Sequence, residues 1–156
     1  MKVIFLDVDG VLNSDDFIMN KNRKSDIDEE NVKFLKRAVI ETGAKVVVDS
    51  SFRYKRCFAE VQEILLRNGI TFEKTPFLEN KRGKEIKQWL SEHKDIEDYV
   101  LLDDEIFKDF DEEILSHLIK MDDTNTRGIG KGLQLKDVEE IIKRFGRIKT
   151  KEDDER

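Results

Sequence analysis

Two aspartates one residue apart, Asp7 and Asp9, follow an apolar run and are followed at once by Gly10. A carboxylate in such a position can attack phosphorus and form an acyl phosphate. A second carboxyl two positions on can protonate the leaving oxygen and later activate water. Gly10 lets the backbone come close to a phosphate. Asp49-Ser50-Ser51 and Asp103-Asp104 each close an apolar run of their own. Several carboxylates gathered in one cleft repel one another and raise each other's pKa. A divalent cation resolves that conflict, and hard oxygen donors select magnesium over zinc or copper. Magnesium takes one or two carboxylates plus a phosphate oxygen, so the set points to Mg2+ and a phosphorylated substrate.

This chemistry requires elements that bring together the three polar ends, acidic at Asp7 and Asp9 and at Asp103 and Asp104, hydroxyl at Ser50 and Ser51. Residues 3–6 are apolar without polar alternation, as in a strand buried on both faces, and 45–48 and 99–102 read the same way. Shorter strands are expected at 70–72 and 118–121. Residues 13–25 carry no period and read as a loop. A first helix, capped by Ser25 or Asp26, carries Val32, Leu35 and Val39 and closes at Gly43. Further helices are expected over about 56–68, stopped by Gly69, over 83–93, and over a last segment bearing Leu135, Val138, Ile141, Ile142 and Phe145. An amphipathic stretch carries Ile114 and Leu115. Strands alternating with helices give an α/β fold with a parallel sheet of about five strands between two helical layers. In such a sheet ligands bind beyond the carboxyl ends of the strands, where the strand order reverses. The acidic and hydroxyl ends would meet there.

The 156 residues suit one domain, 1–148, with a charged tail, 149–156, expected to be disordered. Charged residues make up 41% of the chain, yet the 38% that are hydrophobic fall in periodic runs, which disordered chains lack. The net charge of −6 argues mildly against broad non-specific nucleic-acid binding without excluding a local basic groove. The one cysteine, Cys57, allows no intrachain disulfide and reads as a small core residue. No membrane-length apolar stretch or cleavable leader is evident, so a cytoplasmic protein is expected.

The segment Asp7-Val8-Asp9-Gly10-Val11-Leu12 resembles the first motif of the haloacid dehalogenase (HAD) phosphohydrolases. The strand ending at Ser50 is similar to their second motif, and Leu102-Asp103-Asp104 to their fourth. Asp9-Gly10-Val11-Leu12-Asn13, Ser50-Ser51-Phe52-Arg53 and Arg82-Gly83-Lys84-Glu85-Ile86 resemble, more narrowly, the HAD domains of Swiss Army Knife RNA-repair proteins. The likeness spans about residues 1–145. It implies a three-layer Rossmann-like HAD fold, with Asp7 as nucleophile and metal ligand. It makes Asp9 the general acid/base, its main-chain carbonyl also on the metal, and Ser50 the phosphate-binding hydroxyl. The third-motif base is Arg82 or, as the alternative, Lys84, and Asp103 or Asp104 completes the metal site. Phe52 departs from the family's usual tryptophan, and Asp49 is an extra acid beside the phosphate site.

Plainer readings stand beside these. Asp7 and Asp9 could merely end a strand, Ser50 and Ser51 could be helix caps, and Arg53 could pair with a surface acid rather than reach phosphate. Asp103-Asp104 also resembles the start of a receiver domain, but a downstream phosphoacceptor strand is lacking. His93 and His117 receive no role, and Trp89 reads as core. The glycine-rich segment 127–132 could flap over a phosphate or be a simple loop. Neither the stretch after Gly10 nor that between Ser50 and Arg82 is long enough for a cap domain. A capless cleft admits a phosphate displayed on something bulky, such as a polynucleotide end. The alternatives are a small-molecule phosphatase of nucleotides or sugars that closes its site by dimerising, and a non-catalytic binding module. Protein partners are not indicated.

Overall fold

The computed structural model describes residues 1–122 and 130–148. The elements alternate as expected: β1 (Lys2–Leu6), α1 (Asp15–Met19), α2 (Glu29–Thr42), β2 (Lys45–Val48), α3 (Phe58–Arg67), β3 (Phe72–Lys74), α4 (Arg82–Glu92), β4 (Asp98–Asp103), α5 (Glu112–His117), β5 (Leu118–Lys120) and α6 (Leu135–Phe145). The five strands form one sheet in the order β3-β2-β1-β4-β5, every pairing parallel. The chain winds outward from β1 in both directions, so the order reverses between β1 and β4.

Alternation along the strands divides the core in two. Ile4, Leu6, Val46, Val48, Val100 and Leu102 face the layer of α2, α3 and α6, meeting Leu35, Leu65 and Ile141. Val3, Phe5, Val47, Tyr99 and Leu101 face the opposite way, towards α4 and α5, meeting Ile86, Trp89 and Ile114. Phe5 packs edge-on against both Trp89 and Tyr99. The result is a three-layer α/β sandwich whose strands are apolar on both faces.

Several boundaries differ from expectation for local reasons. The segment after Asn13 holds a five-residue helix, α1, because Ser14 caps it by accepting a hydrogen bond from the Phe17 N–H. Helix α2 starts at the cap Asp28 rather than at Ser25 or Asp26; the Ser25 hydroxyl instead accepts from the Ile27 N–H. Ile70 does not begin β3. Its N–H closes on Leu65 O and that of Gly69 on Leu66 O, with Gly69 at φ +74°, so Ile70 belongs to the cap of α3 and the strand starts at Phe72. Cys57 is exposed, not core: α3 begins one residue later, and its buried stripe runs through Phe58, Val61 and Leu65. The charged tail 149–156 lies outside the described residues. Among those described, no helix is long and apolar enough to cross a membrane.

Candidate active site

The sheet register builds the site. Leu6 stands opposite Val48 on one side and Leu102 on the other. The next residues are therefore level, and they are Asp7, Asp49 and Asp103. Their backbones continue the ladder, Asp7 N–H donating to Leu102 O at 3.1 Å and Asp49 N–H to Leu6 O at 3.0 Å. Strand alternation places all three side chains in phase with Phe5, Val47 and Leu101, on the side of the sheet that carries α4. Carboxylate oxygens of the three lie within 4.8 Å of one another, all buried.

Helix α4 answers with Arg82 in its first turn. Arg82 Nη1 lies 2.8 Å from Asp103 Oδ2, 3.5 Å from Asp7 Oδ1 and 3.6 Å from Asp49 Oδ1. Its guanidinium also lies 4.4 Å from the centre of the Phe107 ring. One cation does not offset three buried acids. Burial, then the Asp103 charge, holds the Asp7 carboxyl well above the usual carboxylate range despite Arg82. Burial pushes Asp49 and Asp103 up to about 7, against the lowering effect of Arg82. The acids in turn raise Arg82, which stays charged.

Asp9 is exposed and lines an open cleft of about 610 Å³ together with Asp7, Gly10, Ser51, Arg82 and Asp104. Its orientation comes from Asn13, whose Nδ2 donates to Asp9 Oδ1 and to Asp26 O, both at 3.0 Å. The Asn13 Oδ1 accepts from the Gly10 N–H at 2.8 Å. Gly10 has φ +83°, and a Cβ there would lie 2.2 Å from Asp104 Oδ2. A close approach that demands glycine here is therefore that of the Asp104 carboxylate.

The remaining sequence candidates separate. Ser51 is exposed on the cleft wall, whereas Ser50 is fully buried, and its hydroxyl has no hydrogen-bond partner among the described residues. Arg53 does not line the cleft. Its guanidinium is fully buried, donates to Thr75 O, Ser50 O and Pro76 O at 2.9, 2.8 and 2.6 Å, and pairs with Glu85 at 3.2 Å. It is neither at the cleft nor paired with a surface acid, the two places expected for it, but clamps the loops after β2 and β3. Lys84 opens onto a different hollow, with Lys87 and Asp109. The Asp109 carboxylate caps α4 by accepting from the Gly83 and Lys84 N–H groups, both at 3.0 Å. Of the glycine-rich segment, 127–129 fall outside the described residues. Gly132 packs behind the first loop, where a Cβ would lie 2.7 Å from Val11 O.

Sequence reasoning missed two members. In the sequence Asp49 is an extra acid beside the phosphate site, and only the pairing of β2 with β1 brings it level with Asp7 and Asp103. Asn13 was part of the first-motif likeness without a task, and only the folded loop shows what it holds.

A parallel α/β sheet with acids at the carboxyl ends of its central strands and a basic residue from the adjoining helix defines the protein as a member of the HAD superfamily. Residues 3–131 match the family model of the HAD domain in Swiss Army Knife RNA repair proteins, and the chain belongs to that family. Searches of curated proteins and of solved structures returned no match. Membership points to phosphatase-type chemistry, and the buried aspartate cluster offers ligands to a metal ion.

Proposed function

We propose that the chain is a magnesium-dependent phosphatase that works through an aspartyl-phosphate on Asp7 and acts on phosphates carried by bulky substrates, polynucleotide ends among them. The observation that carries this reading is the convergence of Asp7, Asp49 and Asp103 on Arg82 Nη1, with Asp9 and Asp104 on the open side of the same group.

The residues fit a divalent cation. Three buried carboxylates, Asp7, Asp49 and Asp103, share one guanidinium, with Asp104 on the wall of the adjoining cleft, and burial together with neighbouring acid charge holds the buried three above the usual carboxylate range. The space inside the buried triad already holds Arg82 Nη1. Both Asp103 oxygens are also in use, Oδ1 accepting from Glu105 N–H at 3.0 Å and Oδ2 from Arg82. Asp7 and Asp104 would therefore hold the metal from the cleft side, with the Asp9 main-chain carbonyl, while Asp103 and Asp49 hold Arg82. Bound there, Mg2+ would keep Asp7 ionised and neutralise charge on the phosphoryl oxygens.

The chain's own groups supply the rest. Asp7 Oδ attacks phosphorus as the ester P–O bond breaks, and the Asp9 carboxyl gives its proton to the departing oxygen. Asp9 then takes a proton from water, which attacks the acyl phosphate and returns Asp7 and inorganic phosphate. Arg82 balances the charge that develops between them, and the Ser51 hydroxyl offers a donor at the cleft wall.

Beyond the core fold, α1 is the only element between β1 and α2, and only α3 and β3 separate Ser50 from α4. Without a cap to close, the cleft suits a phosphate displayed on a large molecule. The family's description, with its RNA-repair context, favours a nucleic-acid end. The test is hydrolysis of an aryl phosphate with Mg2+ and with EDTA. Turnover should require the metal, and Asp7→Asn should lower kcat by at least about 10³-fold with the circular dichroism spectrum intact. Comparable rates in EDTA or in the variant would discard the mechanism. Hydrolysis of a mononucleotide in clear preference to a phosphorylated oligonucleotide would favour the small-molecule alternative.

A further inference from the structure

A second groove, of about 520 Å³, opens from the active cleft and shares Asp9, Asn13, Asp26, Ser51 and Phe52 with it. Its outer rim is the loop into α3, with Lys55 and Arg56, and the buried side chains of Val8, Ile27 and Val61 lie beneath it. Both basic side chains are exposed, and among the described residues neither is paired with an acid. The groove's acids are already engaged. Asp26 Oδ1 accepts from Arg23 Nε at 3.2 Å, Glu60 Oε1 accepts from the Asp26 N–H at 3.2 Å, and Asp9 is held by Asn13.

The loop that presents the two cations is fixed from below. Lys55 N–H donates to Phe52 O at 2.9 Å, and Lys55 O accepts from Phe58 N–H at 3.0 Å, so Lys55 is bracketed by two turns. Arg53, one turn earlier, is locked by three carbonyls and Glu85. Such a rim costs little further ordering when an anion binds. A groove of mixed lining that shares the aromatic Phe52 with the active cleft and carries two cations at its rim fits an organic group that bears a second phosphate.

We propose that Lys55 and Arg56 form a subsite for a second phosphate of the substrate, the group linking the two phosphates lying along Phe52. The proposal rests on the phosphatase reading for the position of the first phosphate. It narrows the substrate to esters with two phosphates: a phosphorylated nucleic-acid end with its neighbouring diester, or a small bisphosphate.

The test compares a nucleoside 3′,5′-bisphosphate and a 3′-phosphorylated oligonucleotide, each against the 3′-mononucleotide. Binding is measured by calorimetry with Mg2+ in the full chain carrying Asp7→Asn, and kcat/KM in the chain with Asp7 intact. Two-phosphate substrates should be preferred by about tenfold, and Lys55→Ala with Arg56→Ala should bring that ratio close to one. A loss confined to the oligonucleotide identifies the second phosphate as a diester, and a loss for both probes as either kind. No preference in the unaltered chain, or a ratio that survives the double substitution, overturns the subsite. If no phosphate ester is hydrolysed, the phosphatase reading fails, while the binding ratio still decides the subsite.

Discussion

At the scale of single residues, Asn13 positions Asp9 through hydrogen bonds within the loop after β1. Its amide spans the Gly10 turn and fixes Asp9 at 3.0 Å. Asn13→Ala frees the Asp9 carboxyl and leaves the Gly10 N–H and Asp26 O unmet, a cost of about 1–3 kcal/mol in stability. If Asp9 is the proton donor, the damage depends on the leaving group. Turnover of alkyl phosphates should fall by about 10- to 100-fold, and that of p-nitrophenyl phosphate, whose leaving group needs little proton transfer, much less. An equal loss for both substrates would show that Asn13 serves the fold alone. Asp9 was legible in the sequence from its spacing to Asp7. The orientation Asn13 gives it was not, because the hydrogen bonds exist only once residues 9–13 close into a turn.

Between elements, the buried Arg53–Glu85 pair ties three segments together. Arg53 collects the carbonyls that end β2 and β3, and Glu85 Oε2 accepts from the Leu78 N–H at 2.8 Å, anchoring the loop before α4. Arg82 sits one turn earlier on the same helix, so the pair holds α4 against the loops that flank Asp49. Removing one member strands a buried charge, and Arg53→Ala should destabilise by about 3–5 kcal/mol, read from the urea midpoint. Arg53→Met with Glu85→Gln, which leaves no charge, should recover part of that loss. If the double variant is no better than the single, the pair is not the source of the effect. Arg53 was expected either at the phosphate or on the surface. Its sequence neighbours cannot reveal the carbonyls of Thr75 and Pro76, which lie more than 20 positions away.

For the molecule as a whole, the acid cluster should make stability depend on pH and, on the proposed function, on metal. The Asp49 and Asp103 carboxyls, near 3.8 in an unfolded chain, are pushed up to about 7 in the fold. Between about pH 4 and 7 the native state therefore binds more protons than the unfolded one. Their contribution to stability is intact below pH 4, declines as pH rises through that window and is lost above about 7, at up to about 1.4 kcal/mol per unit for each carboxyl. Asp49→Asn removes one such group. Without metal, its melting temperature relative to the unaltered protein should climb from pH 5 to pH 8. Mg2+ should raise the melting temperature of the unaltered protein more at pH 8 than at pH 5. A difference between the two proteins that does not change with pH would show that Asp49 ionises normally. The sequence alone determined the alternation of strands and helices, the parallel sheet and the candidacy of Asp7, Asp9, Arg82 and the 103–104 pair. These rest on local periodicity and on residue types at strand ends, which any linear reading can see. Only the tertiary structure decided that Asp49 joins the cluster, that Arg82 rather than Lys84 enters it, and that Arg53 is spent on backbone carbonyls. Those outcomes depend on which strands lie side by side and in what register, a matter of long-range pairing that no stretch of the chain encodes by itself.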